Sequence, residues 1–193
     1  MNSIARRKLA VIMDPIQTIN YKKDTTLAML WAAQDAGFEL FYLELPDLLL
    51  RGNQPHGLLR ALQVHRDPAH WFSLQEAQET PLSSMDVILM RKDPPFDMNY
   101  IYATYLLELA AAAGVLVANR PDSLRDCNEK LFAAQFPQCS PALLVSSNAG
   151  ALRTFQQQHG DVIFKPLDGM GGSSIFRVKP GEGNLGVIIE TLT

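Results

Sequence analysis

The sequence predicts an α/β fold built around a parallel sheet. Apolar runs of strand length, at residues 9–13 and 85–90, lack the alternation of a half-exposed strand and are typical of strands buried on both faces. Between these runs lie stretches in which apolar residues recur at helical spacing. A strand–helix–strand unit forms a right-handed crossover that connects parallel strands. The chain of 193 residues is long for one small domain and short for two full ones.

The first such unit has clear boundary signals. The run 9–13 stops at Asp14, and Asp24 or Thr25 then provides a cap for a helix that Gly37 closes. Residues 38–43 form the second strand, so we expect it to lie parallel to the first.

Residues 46–85 give no clear element, because glycines and prolines break the apolar pieces. The segment contains His56, His65 and His70 without the spacing that places metal ligands on one helical face. This pattern favours solvated loop histidines.

The next unit ends its first strand at a charged segment. Residues 85–90 are followed by Arg91, a helix from Asp97 to Gly114 and a strand at 115–118. Ligands of open α/β sheets bind at the carboxyl ends of the strands, where Asp14 and Arg91 both fall. A ligand site and salt bridges that rim the sheet are equally good interpretations of this pair.

The second half of the chain begins with a predicted helix at 121–136. Lys130 lies four residues after Asp126 in it, so pattern alone favours an exposed ion pair. A strand at 142–145, a helix at 148–159 and a final helical segment at 184–192 complete the predicted elements.

A glycine-rich loop lies between predicted strands at 162–165 and 175–178. It fits neither the P-loop, which needs a lysine after its last glycine, nor the dinucleotide fingerprint, which opens a helix. It contains three glycines, Gly169, Gly171 and Gly172, and follows Lys165. Three glycines exceed what a hairpin turn requires. We therefore favour phosphate binding over a plain hairpin turn with a surface lysine.

Composition narrows the class of protein. A formal charge of −3 argues against a nucleic-acid partner, and no apolar run is long enough to span a membrane. The cysteines, Cys127 and Cys139, fit no disulfide or metal motif. We expect a cytoplasmic, soluble protein.

Four stretches together resemble bacterial glutathione synthetases of the ATP-grasp superfamily. They are VIMDPIQTINYKKDTTLAMLWAAQ, DVILMRKDPPFDMNYIYATYLLE, NRPDSLRDCNEKLFAAQF and FKPLDGMGGSSIFRVK. The pairing of RKDPPFD with KPLDGMGG is specific to this family, whereas a glycine loop alone would be weak. Residues 45–84 match only loosely.

The resemblance implies a ligase that joins γ-glutamylcysteine to glycine with ATP and Mg²⁺, without a protein nucleophile. It implies a substrate domain over residues 1–124, of Rossmann-like parallel-sheet architecture, and the first, incomplete part of an ATP-grasp domain over 125–193. Arg91 would bind the dipeptide, with Asp14 and Lys23 as plausible neighbours. Cys127 would be a buried core residue. The ATP-binding residues would be Lys130, Lys165, Asp168, Gly169, Met170, Gly171, Gly172, Ser173 and Ser174.

Members of the family continue beyond the position of Thr193, where the resemblance places the Mg²⁺ ligands and the adenine pocket. The expectation is an N-terminal fragment, inactive alone, of a complete enzyme that forms homo-oligomers. The alternatives are a non-catalytic nucleotide- or anion-binding module and another ATP-grasp carboxylate–amine ligase.

Overall fold

A computed structural model of the chain describes residues 6–193, which divide into two compact units at Asp126 and Cys127. The strands and helices of the first unit are β1 (Lys8–Ile12), α1 (Thr25–Asp35), β2 (Glu39–Leu43), β3 (Leu48–Arg51), β4 (Gln54–Val64), β5 (Phe72–Pro81), β6 (Val87–Met90), α2 (Met98–Ala112), β7 (Leu116–Ala118) and α3 (Pro121–Asp126). Within residues 6–193 no helix is both long enough and apolar enough to cross a membrane.

Four strands form the predicted parallel sheet, in the order β2-β1-β6-β7. In the register, Ile12 is the partner of both Leu43 and Met90, so the carboxyl ends of β2, β1 and β6 lie side by side. The α/β fold class is confirmed.

The apolar sequence of β1 is explained by the burial of both its faces. Ala10 and Ile12 belong to the apolar cluster that includes Leu107 of α2, whereas Leu9 and Val11 belong to the cluster that includes Leu27 of α1. Both faces of β1 are therefore covered. Because neither face meets solvent, apolar and polar residues do not alternate along the strand.

Strands β3, β4 and β5 extend the sheet in antiparallel fashion, with β4 paired to β2, β3 and β5. The sequence did not indicate these strands, because Pro55 and Gly57 lie inside β4 where they resemble loop residues. A Cβ at Gly57 would lie 2.9 Å from Leu43 Cδ1, so this glycine permits close packing and does not end the strand. His56 also lies on β4, which corrects its interpretation as a loop histidine.

In the second unit, β8 (Val162–Phe164) and β9 (Phe176–Val178) form an antiparallel pair, and the helices are α4 (Ala149–His159) and α5 (Leu185–Leu192). The apolar cluster of this unit joins both strands to α5 through Val162, Val178 and Ile188.

Two predicted elements of the second half are wrong. The helix expected over 121–136 ends at Asp126, because Asn128 Oδ1 accepts hydrogen bonds from the backbone N–H groups of Lys130 and Leu131 and competes with the helical pattern. Residues 142–145 form no strand, since no strand in residues 6–193 pairs with them.

The amino-terminal cap of α1, which the sequence predicted at Asp24 or Thr25, can be tested by mutation. Asp24 Oδ1 accepts a 2.7 Å hydrogen bond from the Leu27 N–H, one of the unpaired donors of the first helical turn. We expect Asp24→Ala to lower the free energy of unfolding by about 1 kcal/mol, whereas Asp24→Asn keeps an oxygen acceptor and has a smaller effect. Urea denaturation followed by tryptophan fluorescence measures both; equal losses would contradict the cap.

Candidate functional site

The first candidate site lies at the carboxyl ends of β1 and β6. The Arg91 N–H donates to the Ile12 carbonyl over 2.7 Å, which continues the strand pairing to the start of the charged segment. Asp14 follows β1 closely, and its Oδ2 accepts a 2.9 Å hydrogen bond from the Asp93 N–H. The topology therefore brings Asp14 and the segment after β6 together, as the sequence predicted.

Asp14 is already paired. Its Oδ1 lies 2.8 Å from Lys92 Nζ, so its carboxylate has both an ammonium and a backbone N–H as partners. These contacts fit the interpretation of a salt bridge at the rim of the sheet, in which Asp14 positions the segment that carries Arg91.

Arg91 differs, because its guanidinium contacts hydroxyls. Nε donates to Thr26 Oγ1 over 3.1 Å and Nη2 to Thr25 Oγ1 over 3.0 Å, and within residues 6–193 no carboxylate forms an ion pair with it. Neutral hydroxyls thus orient the Arg91 guanidinium, and no carboxylate of residues 6–193 forms an ion pair that would compensate its positive charge.

The surroundings of Arg91 favour an anion. Thr25 and Thr26 begin α1, whose amino-terminal end carries a partial positive charge, and the exposed Lys23 precedes them by two residues. Burial raises the pKa of Tyr100; the positive charge of Arg91 acts against that shift and the negative charge of Asp93 adds to it. The Asp24 carboxylate already caps this helix end, so the charge that a carboxylate ligand would balance is that of Arg91.

The second candidate site lies within the second unit, where Lys130 holds the start of the glycine loop. Its Nζ donates to the Gly169 carbonyl, to the Leu167 carbonyl over 3.4 Å and to Glu129 Oε1 over 2.9 Å. Asn128 Nδ2 donates to the same Leu167 carbonyl over 3.0 Å. The pattern-based ion pair with Asp126 is therefore wrong, and Lys130 contacts the loop that the resemblance associates with it.

The loop needs its glycines for two different reasons. Gly171 and Gly172 have φ values of +64° and +81°, in the region that L side chains avoid. At Gly169 a Cβ would lie 2.8 Å from Pro166 Cγ, so a side chain would disturb the turn. Ser174 adopts φ +55° without being a glycine, which indicates a tightly wound loop.

A cavity of about 500 Å³ opens beside this loop, within the size range of small-molecule sites. Lys130, Lys165 and Asp168 provide its charged lining, and apolar side chains provide most of the rest. Lys165 is exposed, and its side chain makes no hydrogen bond or ion pair with the part of the chain that the structure describes. The hydrogen bond from Lys130 lowers the pKa of Glu129, with a smaller contribution from the charge of Lys165.

The cavity has both charged and apolar lining, which suits a ligand with an anionic part and an apolar part. The two ammonium groups suit phosphate oxygens, and Leu143, Leu144 and Val145 are among the apolar lining residues. For Mg²⁺ the fit is poor, because residues 6–193 contain no group of three His, Cys, Asp or Glu side chains suited to a metal ion.

Several residues of these sites carried no usable signal in the sequence. Thr25 and Thr26 resemble ordinary cap residues, and Asn128 lies in what resembles a continuous helix. Cys127 was expected in the core and is exposed, because the chain leaves the helix just before it.

The family models and the curated relatives indicate the same family. Residues 8–125 match the model of the prokaryotic glutathione synthetase N-terminal domain, and residues 129–193 match that of the prokaryotic glutathione synthetase ATP-grasp domain. Glutathione synthetases of Pseudomonas syringae pv. tomato and Shewanella oneidensis are 60% and 58% identical over 186 residues.

Those alignments cover 96% of this chain but only 58% and 59% of the two relatives. Among solved structures, D-alanyl-alanine synthetase A from Vibrio cholerae matches with a TM-score of 0.58 at 11% identity, over 96% of this chain and 56% of that one, which shows the fold alone. The chain therefore belongs to the prokaryotic glutathione synthetase family.

Proposed function

We propose that this chain supplies a dipeptide site and part of a nucleotide site for the ATP-dependent ligation of γ-glutamylcysteine to glycine. The observation that carries the proposal is the cavity of the second unit, which is lined by Lys165 and by Lys130, and Lys130 contacts the glycine loop. The identity of about 60% to glutathione synthetases supports this reaction over others on the same fold.

In the proposed reaction, ATP supplies the phosphoryl group that converts the dipeptide's C-terminal carboxylate into an acyl phosphate, which the glycine amine then attacks with release of phosphate. Lys165 and Lys130 place positive charge against the phosphate oxygens and stabilise the charge that builds up during transfer. The backbone between Asp168 and Ser174 covers the phosphates and keeps water from the acyl phosphate. No side chain of the chain is assigned a covalent role.

In the first unit, Arg91 is the proposed ligand of a dipeptide carboxylate. Its guanidinium is oriented by Thr25 and Thr26, so little side-chain freedom is lost when a carboxylate binds. Lys23 adds a second positive charge near the same helix end, and Asp14 holds Lys92 and the backbone of Asp93 in position.

Mg²⁺ would accompany ATP as its counter-ion, and the described residues offer no suitable ligand set for it. The complete ligase is proposed to act as a homo-oligomer on small molecules alone, without nucleic-acid or membrane partners. The cytoplasm is the proposed compartment, because Cys127 and Cys139 are free and exposed, as thiols remain under reducing conditions.

A chimera tests the proposal. Residues 1–193 are joined to the portion of the Pseudomonas syringae enzyme that follows the aligned region. We expect the purified chimera to form glutathione and ADP from γ-glutamylcysteine, glycine, ATP and Mg²⁺, measured by chromatography of the thiol product and coupled detection of ADP. The full-length relative is the positive control, and its isolated carboxyl-terminal portion is the negative control.

A chimera that unfolds in one cooperative transition but releases no ADP in response to the dipeptide would contradict the ligase assignment. If such a chimera still binds ATP in a calorimetric titration, a nucleotide-binding module without this activity becomes the better conclusion. ADP release that depends on a different carboxylate or amine would instead favour another ligase of the same fold.

A further inference from the structure

The loop between β4 and β5 contains two histidines whose rings lie together. The rings of His65 and His70 stack with centroids 5.1 Å apart and an angle of 21° between their planes. The Nε2 atom of each lies 3.0 Å from the same atom, Ser73 Oγ. Two imidazole nitrogens therefore converge on one point at the surface of the first unit.

The backbone holds this arrangement in place. The His65 N–H donates to the Trp71 carbonyl over 2.8 Å, and the His65 carbonyl accepts from Trp31 Nε1 over 3.1 Å. The His70 N–H donates to the Asp67 carbonyl over 3.1 Å. The backbone positions of both histidines are thus fixed by contacts that do not involve their imidazole nitrogens.

The neighbouring charge is already compensated. Arg66 lies between the two histidines in sequence, and its guanidinium pairs with Asp35 at 2.5 Å. A positive ion at the imidazoles would therefore meet an arginine whose charge is balanced by a carboxylate.

We propose that His65 and His70 form a two-ligand site for a divalent transition-metal ion of the Cu²⁺, Ni²⁺ and Zn²⁺ class. Histidine nitrogens bind Zn²⁺ at about 2.0–2.1 Å, and two rings held at that distance on neighbouring positions of a tetrahedral ion have centroids roughly 5 Å apart. The observed separation is 5.1 Å. The ion occupies the space between the two Nε2 atoms, with Ser73 Oγ turned aside.

The donor set determines which ions bind. Neutral imidazole suits Cu²⁺, Ni²⁺ and Zn²⁺, with Cu²⁺ the tightest of the three, whereas Mg²⁺ prefers oxygen ligands. Because His70 is exposed, water completes the coordination shell. This site is separate from the proposed ligase reaction and requires none of its substrates.

Tryptophan fluorescence of the whole 193-residue chain, purified without a polyhistidine tag, tests the site. The chain has two tryptophans, and both adjoin the loop: Trp31 donates to His65, and Trp71 follows His70. We expect Cu²⁺ or Ni²⁺ to quench the fluorescence saturably with one ion per chain. A chelator should reverse the quenching, and excess Mg²⁺ should not.

Variants separate the proposed ligands from other histidines. His70→Gln removes one of two ligands and is expected to weaken Ni²⁺ binding about tenfold or more. His159→Gln, a change of an exposed histidine in the second unit, should leave binding unchanged. Ser73→Ala keeps both imidazoles and should preserve binding.

Circular dichroism and urea denaturation show whether each variant folds. Because His70 is exposed, its replacement is the decisive variant if His65→Gln proves unstable. Equal Ni²⁺ affinity for the unmodified chain and His70→Gln would overturn the proposal. Quenching that never saturates would also overturn it.

Discussion

Replacing Lys165 by methionine is expected to lower kcat/KM for ATP about 10²–10³-fold in the chimeric ligase, since it removes a cation facing the transferred phosphoryl group. Methionine keeps much of the length and apolar stem of lysine without its charge. Because Lys165 makes no polar contact with the described part of the chain, the midpoint of thermal unfolding should stay almost unchanged. Steady-state kinetics and a melting curve measure the two quantities.

Lys130 provides the contrast, because Lys130→Met removes the bonds to the Leu167 and Gly169 carbonyls as well as a charge. We expect it to lower both activity and the unfolding midpoint of the second unit. Lys179→Met, which changes an exposed lysine outside the cavity, is the matched control and should leave ATP kinetics unchanged. Normal ATP kinetics in Lys165→Met would remove that lysine from the nucleotide site.

Replacing Arg91 by alanine in the same chimera should raise the KM for γ-glutamylcysteine about 10- to 100-fold. The variant loses a charge-assisted hydrogen bond to the substrate, an interaction of about 1.5–3 kcal/mol. The KM for ATP should change little, because the predicted nucleotide contacts all lie in the second unit. Arg91→Lys keeps the charge but not the planar fork, and we expect an intermediate value.

Arg120→Ala is the control for Arg91. It also removes a guanidinium from the first unit, but that group is exposed and pairs with Asp122, so the kinetics should not change. A defect of Arg91→Ala that appears in the KM for ATP and not in that for the dipeptide would contradict the assignment of Arg91 to the dipeptide.

The parallel half of the sheet was predictable because its strands are buried on both faces. A short apolar segment such as β1 is most simply accommodated as a buried strand, because each of its faces packs in an apolar cluster. The antiparallel half was not predictable. Proline and glycine, here Pro55 and Gly57, usually interrupt strands, and only the position of Leu43 against Gly57 shows why this glycine is accommodated.

For the candidate sites, the sequence indicated where charge and glycine concentrate but not how the side chains pair. The carboxyl-end rule placed Asp14 beside the segment that carries Arg91. The spacing of the residues did not indicate that Asp14 forms an ion pair while Arg91 forms none within residues 6–193. The contact of Lys130 with the glycine loop spans 39 positions and depends on a break in the helix at Asn128. Long-range contacts of this kind leave no local periodic pattern.

The contacts of Lys130 also determine what nucleotide binding must displace. An ammonium has three protons to donate, and in this structure they are shared among Glu129 and the carbonyls of Leu167 and Gly169. A phosphate oxygen can therefore bind Lys130 only in competition with one of these acceptors. If Lys130 releases a carbonyl, the phosphate enters and the base of the glycine loop loosens in the same step. The affinity for nucleotide then reflects the difference in free energy between the bonds of Lys130 to phosphate and its bonds to the loop.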